Sequence, residues 1–142
     1  MRYFMEVIGY LEKVNIPQLK LFGLDAKIDT GADNCSIHCD EITINSDNTV
    51  TFILHDEVHQ AYHGKAITLP IHKTKKVKSS NGKSEERIFI QSGLKLGHET
   101  YEAEISLANR ENMKYPLLIG RRFLSHHYLI DVSKKYLTKE SL

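Results

Sequence analysis

Leu24-Asp25-Ala26-Lys27-Ile28-Asp29-Thr30-Gly31-Ala32 is the stretch on which the fold turns. It reads as a strand running straight into an acidic turn. Taken alone, it is a loop in which Asp29 starts the turn and Gly31 supplies an unusual backbone angle. An Asp-Thr-Gly string arises by chance in roughly a few per cent of chains this long. Its weight comes from what surrounds it.

On both sides, segments rich in β-branched and aromatic residues recur at short spacing: Phe4 to Tyr10, Val50 to His55, Ala66 to Ile71, Arg87 to Ile90, Tyr101 to Leu107 and Tyr128 to Val132. Several alternate with period two. From Thr49 to His55 one face carries Val50, Phe52 and Leu54. From Tyr101 to Leu107, Tyr101, Ala103, Ile105 and Leu107 oppose Glu102, Glu104 and Ser106, the pattern of a half-buried strand. Turn signals fall between them at Ser80-Asn81-Gly82 and Leu96-Gly97-His98. The first joins Lys73–Lys78 to Glu85–Ile90 as a long hairpin with a polar tip. One short helix is expected, Arg121 to His126, opened by Gly120. No helical pattern separates the strands regularly, so a sheet of β-α-β units is not expected. The fold class is all-β: a small closed barrel with one short C-terminal helix, forming a single domain over residues 1–142.

Bulk properties narrow the function classes. A chain of 142 residues with 41% hydrophobic and 26% charged residues is ordinary globular composition, long enough for a real core. A net charge of +1 gives no global field toward nucleic acid or a membrane surface. Met1 to Leu11 is interrupted by Arg2, Glu6 and Gly9, so it is not read as a signal peptide, and no later run is long enough to span a bilayer. Cys35 and Cys39 make no disulfide framework; buried, unreactive thiols in a cytoplasmic protein are expected.

A second segment, Tyr115-Pro116-Leu117-Leu118-Ile119-Gly120-Arg121, places two apolar residues, Gly and Arg late in the chain. The order of strand, Asp-Thr-Gly-Ala, long hairpin and apolar-apolar-Gly-Arg resembles the retropepsin-like aspartic proteases. Asp33 and Arg121 stand where retroviral proteases place an ion pair beside the active site. The likeness extends over nearly the whole chain to a bacterial branch labelled "ATP-dependent zinc protease", associated with the RimK ribosomal-protein glutamate ligase. It is carried by Ile8-Gly9, Ala26 to Ala32, Ser36, His38, Arg87, Leu96-Gly97, Ala108 to Met113, Leu118 to Arg121 and Tyr128 to Val132. The motifs of the catalytic loop and of Leu118-Ile119-Gly120-Arg121 are the specific part.

The resemblance implies a retropepsin-type barrel and a reaction. Aspartic proteases hydrolyse amides with two carboxylates that share one proton and hold a water. This chain has one Asp-Thr-Gly and too few residues for a second lobe, so a homodimer would bring Asp29 against its own copy. Thr30 would then bond across the two-fold axis, and Gly31 would let the backbone approach the carboxylates. Gly120 and Arg121 would support the loop from behind. Ala32 lacks the hydroxyl some relatives carry there, which implies activity reaching toward neutral pH. No cofactor is implied.

The hairpin occupies the place of the flap that closes over substrate in retropepsins. It carries Lys73, Lys75, Lys76, Lys78, Lys83 and Arg87. Two readings stand: an edge hairpin protected by solvated lysines, or a clamp for acidic or glutamylated peptide tails. His38, by its family position, either orients substrate or packs. Metal readings are weaker: His55-Asp56-Glu57-Val58-His59 departs from His-Glu-x-x-His at its second position, and Cys35, His38 and Cys39 lack an evident fourth ligand. Gly82-Lys83-Ser84 resembles the end of a P-loop, but Val77 stands where the earlier glycine belongs, so ATP is not expected as a ligand. The leading expectation is a homodimeric aspartic endopeptidase acting on a peptide or protein substrate. A non-catalytic peptide-binding or assembly module on the same fold is the alternative, and a zinc hydrolase the third reading.

Overall fold

The computed structural model describes residues 5–78, 82–109 and 113–138. In chain order the strands are β1 (Glu6–Ile8), β2 (Leu11–Ile16), β3 (Leu21–Ile28), β4 (Cys35–His38), β5 (Asp40–Ile44), β6 (Thr49–Ile53), β7 (Ala66–Pro70), β8 (Lys73–Lys78), β9 (Ser84–Leu96), β10 (Glu99–Ala108), β11 (Leu117–Ile119) and β12 (Tyr128–Ile130). Among the described residues a single α-helix, α1 (Arg121–Leu124), stands between β11 and β12.

The main sheet runs β10-β4-β11-β3-β2-β9-β8, and β9 pairs back onto β10. The edge is thereby closed into a ring, with β8 projecting outside it as half of a hairpin. This is the small all-β barrel expected from the sequence. Its closure hides most backbone edges, and the alternating apolar residues of each strand fill the inside. Val14, Leu24, Ile37, Ile90, Leu94 and Ile105 are all fully buried there. A three-stranded sheet, β5-β6-β7, packs Val50 and Phe52 into the same core, and Leu54 joins them just past β6, as the alternation predicts.

Element boundaries differ instructively from the sequence pattern. β9 is 13 residues long, well beyond Arg87–Ile90, because it serves three partners: residues 84–89 pair with β8, 89–96 with β10, and Lys95 with Asn15 of β2. The β9–β10 turn has Gly97 at φ +73 as its first central residue, which fits a two-residue type II′ connection. β10 alternates only in its first part, since Ser106 and Ala108 are buried along with Ile105 and Leu107. There β10 lies between β4 and β9, and residues on both of its faces are buried. The helix, expected to reach His126, stops at Leu124. β12 ends at Ile130 because Asp131 starts a turn, accepting the Ser133 N–H at 3.0 Å. Phe4, Ser80, Asn81 and the middle of the Ala108–Met113 match lie outside the described residues.

The pattern did not mark β2, β4, β5 or β11 as strands. β2 holds Glu12, a fully buried carboxylate. It accepts the N–H groups of Gly9 (2.6 Å), Leu137 (3.1 Å) and Thr138 (3.1 Å) and the Thr138 hydroxyl (2.9 Å). Burial of an ionised group is tolerable only with such donors. Glu12 thereby fastens the C-terminal segment to the barrel.

Candidate active site

β3 ends at Ile28, and the chain turns immediately at Asp29. The Asp29 N–H donates to Ile119 O at 2.9 Å, continuing the parallel β3–β11 pairing by one bond. The Ala32 N–H returns to Asp29 O at 3.2 Å, and the Gly31 N–H to Asp29 Oδ1 at 3.0 Å. The carboxylate is thus oriented by the backbone of its own turn. Gly31 has no left-handed φ; what it supplies is closeness, since a Cβ there would lie 3.3 Å from Asp29 Oδ1. That corrects the expectation of an unusual backbone angle.

The second segment braces the loop from behind. A Cβ on Gly120 would lie 2.5 Å from Asn34 O and 2.8 Å from Ala32 O, so only glycine fits. From the next residue, the Arg121 N–H donates to Ala32 O (2.8 Å), Nη1 to Thr30 O (2.8 Å) and Nη2 to Asp33 Oδ1 (2.6 Å). The Asp33–Arg121 ion pair is about half exposed (side chains 55% and 51%), so its net contribution to stability is small, about 0–1 kcal/mol. Its effect is geometric: one planar guanidinium spans the turn at two points.

Asp29 opens onto a groove of about 460 Å³ between this loop and the β8–β9 hairpin. Ala32, Asp33, Lys75, Lys76, Lys78 and Arg87 line it with Asp29, together with Asn34, Ser36, Val77, Phe89, Ser106 and Leu118. The fold therefore brings the hairpin cations and the acidic turn to one cleft. Lys75 stands directly opposite Arg87 across the β8–β9 ladder, a like-charge pairing that costs stability unless an anion relieves it. Asn34 and Ser36 were missed as lining residues, because nothing in their local spacing separates them from turn and strand filler.

His38 does not join the groove. Its side chain is buried at 2% exposure, with Nδ1 2.9 Å from His59 Nε2, and its carbonyl accepts the Tyr62 hydroxyl. Of the two roles open in the sequence, packing is the one this placement favours. Thr30 and Gly31 are exposed at the tip of the turn.

The residues do not fit a zinc centre. His55 contacts Glu41 (3.1 Å), His59 contacts His38, and His63 contacts Leu19 O (3.0 Å), so the three imidazoles face three different partners. Burial pushes the Cys35 thiol up to about 11 and the Cys39 thiol to about 12, away from the thiolate a metal needs. Among the described residues, no group of three or more His, Cys, Asp or Glu is placed to hold a metal ion. Among them, too, no helix is long and apolar enough to cross a membrane.

Residues 7–141 match the RimB-like family model, described as "Retropepsin-like aspartic endopeptidase RimB". The chain belongs to this RimB-like family. Two curated relatives are each named "Probable alpha-L-glutamate ligase". The one from Shewanella pealeana (strain ATCC 700345 / ANG-SQ1) is 33% identical over 137 residues, covering 92% of this chain and 29% of that protein. The one from Desulfotalea psychrophila (strain LSv54 / DSM 12343) is 29% identical over 133 residues, covering 89% and 28%. The chain thus spans less than a third of the length of the curated relatives it matches. In fold it is similar to the crystal structure of Lpg0085, a protein of unknown function from Legionella pneumophila. The TM-score is 0.74 at 24% identity, over 94% of this chain and 98% of that one.

Proposed function

We propose that this RimB-like protein is an aspartic endopeptidase whose active site is completed by a second copy of the chain. The observation that carries the reading is Asp29: a carboxylate oriented by its own turn, braced by Gly120 and Arg121, and open to a groove. Each chain supplies one such loop, so a two-fold dimer supplies the facing carboxylate. One Asp29, ionised, takes a proton from the water between them as that water attacks the peptide carbonyl. The protonated partner donates to the carbonyl oxygen. The tetrahedral intermediate then breaks its C–N bond, the amine leaving with a proton from the pair.

The substrate is an acidic peptide, with glutamate-rich tails the leading candidate. Support comes from Lys75, Lys76, Lys78 and Arg87 on the groove wall, and from matching segments within longer relatives named as glutamate ligases. The test is cleavage of a glutamate-rich peptide followed by mass spectrometry, with Asp29→Asn beside the wild type. Loss of cleavage in Asp29→Asn, with EDTA without effect, is the expected result. Cleavage surviving in Asp29→Asn would overturn the reading, and sensitivity to EDTA would point to metal hydrolysis instead. Peptide binding by the wild type without turnover would mark a binding module. Sedimentation should find a dimer under the conditions that give activity.

A further inference from the structure

One face of the hairpin carries Lys73, Lys75 and Val77 on β8 and Glu85, Arg87 and Phe89 on β9; of these, Lys75, Val77, Arg87 and Phe89 line the groove. Its charges are unevenly satisfied. Lys73 is held by Glu104 at 2.6 Å, outside the hairpin. Arg87 is nearly buried, with 11% of its side chain exposed, and such a guanidinium requires a counter-charge. The counter-charge comes from two residues away on its own strand: Arg87 Nε donates to Glu85 Oε1 at 2.6 Å. Glu85 itself is 54% exposed. A nearly buried cation on the groove wall is therefore paired with a solvent-facing carboxylate of the same hairpin.

We infer that Glu85 is a built-in stand-in for a substrate carboxylate, occupying Arg87 in the free protein and yielding it to an acidic peptide. This rests on the proposed acidic-peptide reading of the groove and adds a regulatory element to it. Three features single out Glu85. It contacts the one cation of the wall that is nearly buried, where a charge-assisted bond is least screened. It is the acid on Arg87's own face of the hairpin, whereas Glu86 stands opposite Lys76 on the alternate face. It also offsets the Lys75–Arg87 repulsion when no ligand is bound. Exchange of one carboxylate for another leaves Arg87 paired throughout, so it avoids the cost of an unpaired buried charge. The free protein gains a stable flap and gives up part of its affinity for anions. A neutral peptide, having nothing to exchange, gains nothing from Arg87.

The experiment measures binding in full-length Asp29→Asn protein, where turnover does not interfere. The probes are a fluorescent oligoglutamate and an oligoglutamine of equal length. Glu85→Gln should tighten oligoglutamate binding about three- to tenfold, the effect of one partly screened charge, and leave oligoglutamine unchanged. Glu86→Gln, which makes the same change in net charge on the other face, should give less than half that gain. In an Arg87→Gln background, Glu85→Gln should give no gain at all. An unchanged or weaker affinity in Glu85→Gln overturns the inference, as does an equal gain from Glu86→Gln or one that survives loss of Arg87. If oligoglutamate binds neither Asp29→Asn nor Asp29→Asn/Glu85→Gln, the acidic-peptide reading itself falls and takes this one with it.

Discussion

Two carboxylates close to the same barrel strands have opposite surroundings. Glu12 on β2 is fully buried and takes four donors, three backbone N–H groups and one hydroxyl, from both ends of the chain. Asp29, just past β3, is half-buried, and the Gly31 N–H reaches one of its oxygens. The first carboxylate is saturated and can only hold structure together. The second keeps acceptor capacity directed at a groove, which is what proton transfer requires. Hydrogen-bond saturation, more than residue type, separates an acid that only holds structure from one with acceptor capacity to spare.

That contrast can be broken by exchanging the expected consequences of substitution. Asp29→Asn should lower cleavage of a glutamate-rich peptide by at least about a thousandfold, the scale seen when one member of a cooperating catalytic unit is removed. Its melting temperature should stay within roughly 3 °C of wild type, since Asn can still accept the Gly31 N–H. Glu12→Ala should do the reverse. It strands several buried donors and should cost about 3 kcal/mol in denaturant unfolding, while folded protein at low temperature keeps its activity. If Glu12→Ala proved nearly neutral in stability, the contrast between the two acids would collapse.

Smaller effects sharpen the picture around Asp29. Gly120→Ala forces a methyl against the carbonyls of Asn34 and Ala32. It should cost about 2 kcal/mol and, under the proposed mechanism, lower activity further than lost stability explains, because those carbonyls belong to the turn that carries Asp29. Arg121→Gln should cost less than about 1 kcal/mol by thermal melting, as an exposed ion pair does. Under the proposed mechanism, peptide cleavage should nonetheless fall several-fold, because the Thr30 carbonyl loses its brace.

The smallest effect concerns pH. Burial, and then the neighbouring His38, hold His59 below the ordinary imidazole value of 6.5, partly opposed by Asp40. The folded protein then binds fewer protons at this site than the unfolded chain does. The associated stability is complete above 6.5 and declines as pH falls below it. Melting temperature should drop between pH 7 and pH 5, and His59→Gln should flatten that slope.

Much of this was legible along the chain. Alternation placed Val50, Phe52 and Leu54 inside, and Gly97 marked the β9–β10 turn. Asp29-Thr30-Gly31 with Leu118-Ile119-Gly120-Arg121 pointed to the site, because such loops depend on residue types with few substitutes. Glu12 was not legible. A glutamate breaks an apolar pattern, and its donors at Leu137 and Thr138 lie 125 and 126 positions away. His38 stayed open between two roles for a related reason: family position placed it near the site, whereas its contacts with His59 and Tyr62 join residues far along the chain. β11 was hidden by its length, three residues with no room for a period.

By itself, then, the sequence determined the β class, the turn chemistry and which acid stands in a loop built for close backbone approach. These follow from local rules: side-chain alternation, backbone angles and the volume of a Cβ. Only the tertiary structure decided that Arg121 reaches Thr30 across 91 positions, that the hairpin cations share a groove with Asp29, and that Glu85 answers the charge of Arg87. Charge, burial and hydrogen-bond supply depend on neighbours distant in sequence, and those neighbours exist only once the barrel has closed.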